Sequence, residues 1–279
     1  MVAKADRSIL RLRKNERSET EDTLIVEEPL EIRLVYQWRG RVQRRTLSIT
    51  MRTPGDDKAL VLGFLFTEGV IGGLDDVTKV EHPSHRLADE ARYNVLDVHL
   101  REGVMLDEEH FNRHFYTTSS CGVCGKGSIE LVHTQSVYLL REGHPMVERE
   151  TLFSLPGRLR SEQPLFGQTG GVHAVGLFTA DGRLVDICED VGRHNAMDKL
   201  IGAALLRGEI PLRGQQVLVS GRASFELVQK ALMAGVPILS AVGAPSSLAV
   251  ALAEDSGMTL AGFVRPEGGN IYTGAQRIR

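Results

Sequence analysis

From His173 onward the chain alternates short apolar runs with longer helix-forming stretches, and this rhythm constrains the fold more than any other feature. His173–Phe178 and Arg183–Glu189 flank Thr179-Ala180-Asp181-Gly182, a hairpin signal whose glycine tolerates positive φ. The pattern then predicts helix over Arg193–Leu206, strand over Gln216–Ser220 and helix over Ser224–Ala234. Strand over Pro237–Ala241, helix over Ser246–Asp255 and strand over Met258–Val264 follow. Gly208, Gly235 and Gly257 stand where helices end. Val217-Leu218-Val219 and Ile238-Leu239 are as short as strands buried on both faces. A hairpin followed by three α–β units predicts an α/β fold, with a mixed, mostly parallel sheet and helices on both faces.

The first half is less regular. Residues 1–22 alternate charges with little periodicity and are expected to form a flexible tail. Residues 23–116 read as a smaller α+β region. Leu30, Ile32, Leu34 and Tyr36 alternate with polar neighbours, Arg39-Gly40 offers a turn, and Arg45–Met51 returns as a second strand. Thr53-Pro54 is expected to start a helix, with Asp56-Asp57 near its positive end. Its continuation, Leu60–Phe66, is apolar nearly all round and suits a core or an interface. Asn94–Leu100 reads as a strand and Asp107–Phe115 as a short helix leading to a loop at 117–128. Residues 129–279 then hold the α/β core. A formal charge of −3 gives no global argument for nucleic-acid binding. No apolar run approaches the roughly 20 residues that span a bilayer. The first residues carry charge but no apolar signal core, and three cysteines make no disulfide framework, so a cytoplasmic address is expected.

Two of those cysteines stand in Thr117-Thr118-Ser119-Ser120-Cys121-Gly122-Val123-Cys124-Gly125-Lys126-Gly127-Ser128. A run with one large apolar side chain, Val123, cannot pack a core, so the thiols are placed for reactivity. Four readings compete. Structural zinc needs about four ligands; Cys121 and Cys124 supply two, and His110 and His114, spaced i, i+4, would have to complete the shell. Zinc-deaminase chemistry is excluded at motif level, because no histidine has Glu two residues later and Ser120 replaces the required proline. Thioredoxin-type exchange needs the pair at a helix N-terminus, and Gly125 and Gly127 delay any helix that begins near Ser128. A persulfide carrier needs a long, uncluttered arm, and Lys126 favours the thiolate. The loop composition fits the carrier better than the others; an inert surface thiol pair is the bland alternative.

A ligand of an open α/β sheet sits beyond the carboxyl ends of the strands. Here those ends are Ser220-Gly221-Arg222-Ala223-Ser224, Val242-Gly243-Ala244-Pro245-Ser246-Ser247 and Phe263-Val264-Arg265-Pro266-Glu267-Gly268-Gly269-Asn270. Small residues let backbone N–H groups approach an anion, and Arg222 and Arg265 can fork onto phosphate. Ordinary βα turns favour the same residues, and neither a dinucleotide fingerprint nor a P-loop is present. Asp186–Lys199 packs Arg193, His194, Asn195 and Asp198 into one helical turn, with His173 able to approach. Cys188 reads as a core thiol.

Ser119–Gly125, Glu189–Lys199 and Ser220–Glu226 together resemble the formate dehydrogenase accessory sulfurtransferases, in order and over nearly the whole chain after residue 25. The resemblance implies a core like that of the cytidine deaminases without their zinc site, and no tightly held metal. It implies a sulfur carrier that takes sulfur from a cysteine desulfurase. The sulfur would pass to the molybdenum (or tungsten) cofactor, in its guanine dinucleotide form, before insertion into formate dehydrogenase. The family's thiol motif maps onto Cys121 and Cys124, and its cofactor-binding segment onto Phe263, Val264, Arg265, Pro266, Glu267 and Gly268. Arg222, Ser224 and His194 are added from the strand-end argument. Cys121 is expected to carry the sulfur, because it lies farther from the following helix. A sulfur carrier that does not bind nucleic acid or membrane, and pairs as a homodimer, is the resulting expectation. A cofactor chaperone that carries no sulfur and a zinc or redox module are the alternatives.

Overall fold

The alternation of Leu30, Ile32 and Leu34 with Glu31 and Arg33 gives strand β3 (Glu28–Trp38) one apolar face, and that face is buried. The computed structural model describes residues 3–83, 93–104 and 138–279. In it β3 is central to a four-stranded sheet of order β4-β3-β6-β5, with β4 Arg41–Arg52, β5 Val77–Glu81 and β6 Val95–Leu100. β3 runs antiparallel to β4 and parallel to β6, and β5 is antiparallel to β6. A register shift after Ile32 leaves Leu47 as the extra residue of a bulge, turned into the core.

Helix α1 (Asp57–Thr67) is apolar on nearly all sides because it lies between two layers: it crosses α4 (Arg193–Leu206) at backbone contact. A Cβ at Gly63 would land on the Asp198 carbonyl, and one at Gly202 on the Ala59 carbonyl, so this crossing requires both glycines. α1 begins at Asp57 rather than at the expected Thr53-Pro54. Thr53 is instead held by partners in the second half of the chain, and Asp56 takes a left-handed φ of 55° before the helix can start.

The second sheet has six strands in the order β12-β11-β10-β9-β7-β8. These are β7 His173–Thr179, β8 Leu184–Asp190, β9 Gln215–Val219, β10 Ile238–Ala241, β11 Thr259–Arg265 and β12 Gly268–Thr273. Only β9–β10 and β10–β11 pair in parallel; β7–β8, β7–β9 and β11–β12 are antiparallel. The expectation of a mostly parallel sheet is therefore corrected. Both sheets are mixed and mostly antiparallel, because a hairpin flanks the parallel trio on each side. The β11–β12 hairpin turns at Pro266-Glu267, where the sequence predicts an open strand end.

Helices cover both faces of this sheet. α4, α5 (Phe225–Met233) and α6 (Ser247–Asp255) pack on one, with the inner faces of both sheets, in a single continuous core from Leu30 to Leu260. α2 (Arg149–Ser161) covers the other through Leu152, Leu155 and Leu159, followed by the short α3 (Pro164–Thr169). The N-terminal and C-terminal regions separated in the sequence reading thus share one interior. Residues expected as a fraying tail form a ten-pair antiparallel hairpin, β1 (Lys4–Arg13) with β2 (Glu16–Ile25), that rests on α3. Among the described residues, no helix is long and apolar enough to cross a membrane. The expected helix at Asp107–Phe115 and the loop at 117–128 lie outside the described residues.

Candidate functional site at the strand ends

β9 and β10 finish side by side, and their following loops are fastened to one another. Gly243 N donates to Gly221 O at 2.9 Å, Ala223 N to Ala244 O at 3.1 Å and Ser246 N to Ala223 O at 3.0 Å. Gly243 permits this approach: a Cβ there would stand 3.0 Å from Gly221 O and 3.1 Å from Arg222 Cα. Phe263 N closes the row by donating to Gly243 O at 3.1 Å. Phe263 is one of three non-glycine residues described with positive φ, at 54°, and its ring stays 41% exposed. A bulky side chain in that region stores strain of order 1–3 kcal/mol, so something outside the local chain fixes it. Here the Gly243 carbonyl holds the Phe263 N–H, at the register shift between Gly262 and Arg265 in the β11–β12 pairing.

Two histidines and an arginine gather at this rim. His194 Nε2 lies 3.2 Å from Ser224 Oγ and 3.9 Å from Glu226 Oε2. Ser224 occupies the N-cap of α5 but spends its hydroxyl on His194, leaving the helix without a side-chain cap. Burial pulls the His194 imidazole down to about 4, helped by Arg193 and Lys230 and opposed by Glu226 and Glu68, so it is neutral at physiological pH. Burial and then Arg193 lower His173 as well. A Cβ on Gly221 would stand 3.4 Å from His173 Nδ1 and 3.7 Å from Arg193 Cδ, which places these groups around one glycine. Arg193 Nε is buried and makes no hydrogen bond among the described residues.

The other polar residues of the Asp190–Lys199 segment turn inward. Asp190 is fully buried; it accepts from Thr53 N at 3.1 Å and Gly192 N at 2.9 Å, and pairs with Lys199 Nζ at 2.8 Å. Lys199 Nζ also donates to Thr53 O at 2.9 Å. Asn195 donates to Met51 O at 2.7 Å and accepts from Thr50 Oγ1 at 3.1 Å. Asp198 accepts from Thr67 Oγ1 at 2.9 Å and pairs with Lys230, which also reaches Glu68 at 3.3 Å. Burial raises the Asp198 carboxyl against the pull of Lys230. Four residues that looked like one chemical cluster therefore divide: Arg193 and His194 remain at the rim, while Asn195 and Asp198 fasten α4 to the N-terminal sheet and α1.

A cavity of about 550 Å³ opens beside the rim on the α2–α3 face. Its walls include His173, Ser220, Val242, Gln163, Phe166 and Arg160, whose guanidinium lies 3.9 Å over the Phe166 ring. Sequence reading found His173 and Ser220 but missed Arg160, Gln163 and Phe166. Pro156 inside α2 masked that helix, and the one available signal was Pro164 at the first turn of α3.

Of the residues expected to hold a cofactor, Arg222, Ser224 and His194 lie at the rim on the loops just described. Phe263, Val264 and Arg265 end β11, Pro266 and Glu267 make the turn, and Gly268 begins β12 at a φ of 153°. The Val264 side chain is packed under α2 in the core, so only its backbone faces the rim region. β11 leads into β12 rather than a helix, so of the three strand ends only those of β9 and β10 have the βα-turn geometry expected of an anion cradle. Cys121, Cys124, Lys126, His110 and His114 lie outside the described residues. Cys188 packs against the core, and burial pushes its thiol up to about 12, which removes it from thiolate chemistry.

The family model for the FdhD/NarQ family matches residues 25–279. This chain belongs to that family. Among its relatives, the sulfur carrier protein FdhD of Streptomyces avermitilis is 52% identical, covering 98% of this chain and 94% of its own length. The protein of the same name from the archaeon Sulfurisphaera tokodaii is 41% identical over 95% of each chain. A crystal structure of a formate dehydrogenase accessory protein from Desulfotalea psychrophila is similar over 100% of both chains, with a TM-score of 0.70 and 26% identity. The family match takes in the strand-end loops, the Asp190–Lys199 segment and the two closely spaced cysteines alike.

Proposed function

We propose that this protein is a sulfur carrier in formate dehydrogenase maturation, taking sulfane sulfur from a cysteine desulfurase and delivering it to the molybdenum cofactor. The observation that carries the reading is family membership over residues 25–279 in a chain that has a Cys-x-x-Cys pair. Relatives across bacteria and archaea bear the name sulfur carrier. The reading makes the protein a sulfurtransferase, cytoplasmic and homodimeric, with a core of the cytidine deaminase kind. The hairpin preceding three α–β units supports that last kinship.

In the first step the Cys121 thiolate, favoured by Lys126, attacks the outer sulfur of the donor's persulfide. The donor's S–S bond breaks, its cysteine leaves as a thiolate, and Cys121 becomes the persulfide. In the second, the Cys124 thiolate attacks the Cys121 sulfur. The two cysteines close a disulfide and supply the two electrons that release the terminal sulfur as sulfide, the form a metal accepts as a ligand. Cellular thiols then reopen the disulfide.

The acceptor cofactor, as substrate, would lie along the rim. Phosphates suit the first-turn N–H groups of α5, with Arg222 and Ser224 beside them, and Phe263 with Arg265–Gly268 would border them. The neutral His194 and the Arg160–Phe166 stack can take planar rings without a charge penalty. Cells whose only copy carries Cys121→Ala test the reading. Loss of formate dehydrogenase activity is expected, with cofactor content unchanged; full activity would make the protein a chaperone that carries no sulfur. About one zinc per purified chain would instead assign the thiols to a metal.

A further inference from the structure

Between Ile32 and Gly55 the sequence holds six arginines and neither Asp nor Glu, in a chain whose formal charge is −3. Part of this charge is consumed by the fold. Arg52 is fully buried against Asp57 at 2.9 Å, Arg33 pairs with Glu31 at 2.6 Å, and Arg44 reaches Asp97 at 3.2 Å. Arg39 and Arg41, at the tip of the β3–β4 hairpin, have no carboxylate partner among the described residues. The Arg39 guanidinium lies 5.7 Å over the Trp38 ring. Trp38 is 38% exposed and Val42 70% exposed beside them. Exposed tryptophan, arginine and an aliphatic side chain on a hydrogen-bonded hairpin have the composition of a protein-interface anchor. Two unpaired cations in a net-acidic chain are too few to track a nucleic-acid backbone.

The tip's position adds direction. β3 runs parallel to β6 with Val35 opposite His99, so Trp38–Arg41 projects past the end of β6 at Leu100. There the chain leaves, after Val104, for the segment that contains Cys121 and Cys124. The opposite end of the same sheet, at Arg52 and Thr53, abuts Asp190 and the strand-end rim. Acidic residues at the tip's end belong to the β5–β6 side and are engaged locally: Asp76 accepts from Gly72 N at 2.7 Å, and Asp75 lies 3.9 Å from Arg101. Glu102 is exposed there too.

We infer that the β3–β4 hairpin tip is the docking element for the sulfur donor, with Arg39 and Arg41 engaging an acidic face of the cysteine desulfurase while Trp38 and Val42 seat against apolar surface within it. The inference rests on the donor assigned under Proposed function. The tip meets the donor at the end of the molecule from which the thiol segment departs, leaving the rim at the other end free for the acceptor.

The test is surface plasmon resonance with the full-length protein and purified cysteine desulfurase, and with apo formate dehydrogenase as a second analyte. Arg39→Glu/Arg41→Glu is expected to slow association with the desulfurase about tenfold or more and to flatten its salt dependence, because repulsion replaces steering. Trp38→Ala is expected to act mainly through faster dissociation. The charge-matched control Arg7→Glu/Arg13→Glu, on the β1–β2 hairpin, should leave the rate within about twofold. Binding to the apoenzyme should be unchanged in all variants. If wild type binds the desulfurase and the tip variant binds equally well, the docking site is wrong while the carrier reading stands. If the control slows association as much as the tip variant, or the apoenzyme loses binding equally, the tip is not the donor's site. Failure of wild type to bind the desulfurase overturns both.

Discussion

The interior seam and the strand-end rim are built from the same stretch of chain and treat their polar groups in opposite ways. Along the seam, Asp190, Asn195, Asp198 and Lys199 each find partners in the N-terminal half, at Thr53, Met51, Thr50 and Thr67. At the rim, two residues before Asn195, Arg193 keeps a buried Nε that makes no hydrogen bond among the described residues, while on the neighbouring loops Ser224 leaves its helix without a side-chain cap and Phe263 holds a left-handed backbone with its side chain partly exposed. A seam saturated with hydrogen bonds serves folding. The unsatisfied and strained groups of the rim do not serve packing, which is why the acceptor is proposed to lie there.

Breaking the seam should cost most. Gly202→Val puts two methyls where α1's backbone runs and should prevent recovery of soluble protein, at least about 4 kcal/mol of destabilisation. Asp190→Ala strands the Lys199 ammonium, 3% exposed, and should lower urea stability by about 3–5 kcal/mol. If Asp190→Ala unfolds at the wild-type midpoint, the seam is not what joins the two sheets.

A middle effect comes from the rim's histidines. His194 is neutral in the fold with its imidazole near 4, whereas the unfolded chain protonates it near 6.5. Between those values the unfolded state binds more protons. The stability tied to His194 is therefore complete above about 6.5 and is lost as the pH falls toward 4, by about 1–3 kcal/mol. His173 shifts in the same direction. Urea midpoints at about pH 7.5 and pH 5 should separate for wild type and draw together in His194→Gln. An unchanged gap would remove His194 from the buried edge. The smallest effect is Phe263→Gly, which relieves positive φ and should leave stability equal or raised by up to about 1 kcal/mol. A loss above about 2 kcal/mol would mean the ring packs as core.

The same contrast explains what could be read from the sequence. Arg193–Leu206 was legible to the residue, and the other α–β units to within a residue or two, because apolar periodicity and C-terminal glycines mark them. β12 was not, since Pro266-Glu267 resembles a loop until Arg265 is seen opposite Gly268. β1 and β2 were missed because ten-residue strands in which half the residues are charged carry little period-2 apolar signal. At the site, residue types in Arg193–Asp198 suggested chemistry, but a sequence does not tell which side of a helix meets a second sheet. That depends on Thr50, Met51, Thr53 and Thr67, more than a hundred residues away.

The central claim, that Cys121 receives sulfane sulfur, is tested most directly by intact-mass spectrometry of the protein after incubation with cysteine desulfurase and cysteine. The account predicts a gain of one sulfur atom in wild type and in Cys188→Ala, whose thiol is held near 12 and takes no part, and no gain in Cys121→Ala. An unmodified wild-type protein, or an adduct that survives in Cys121→Ala, would contradict it.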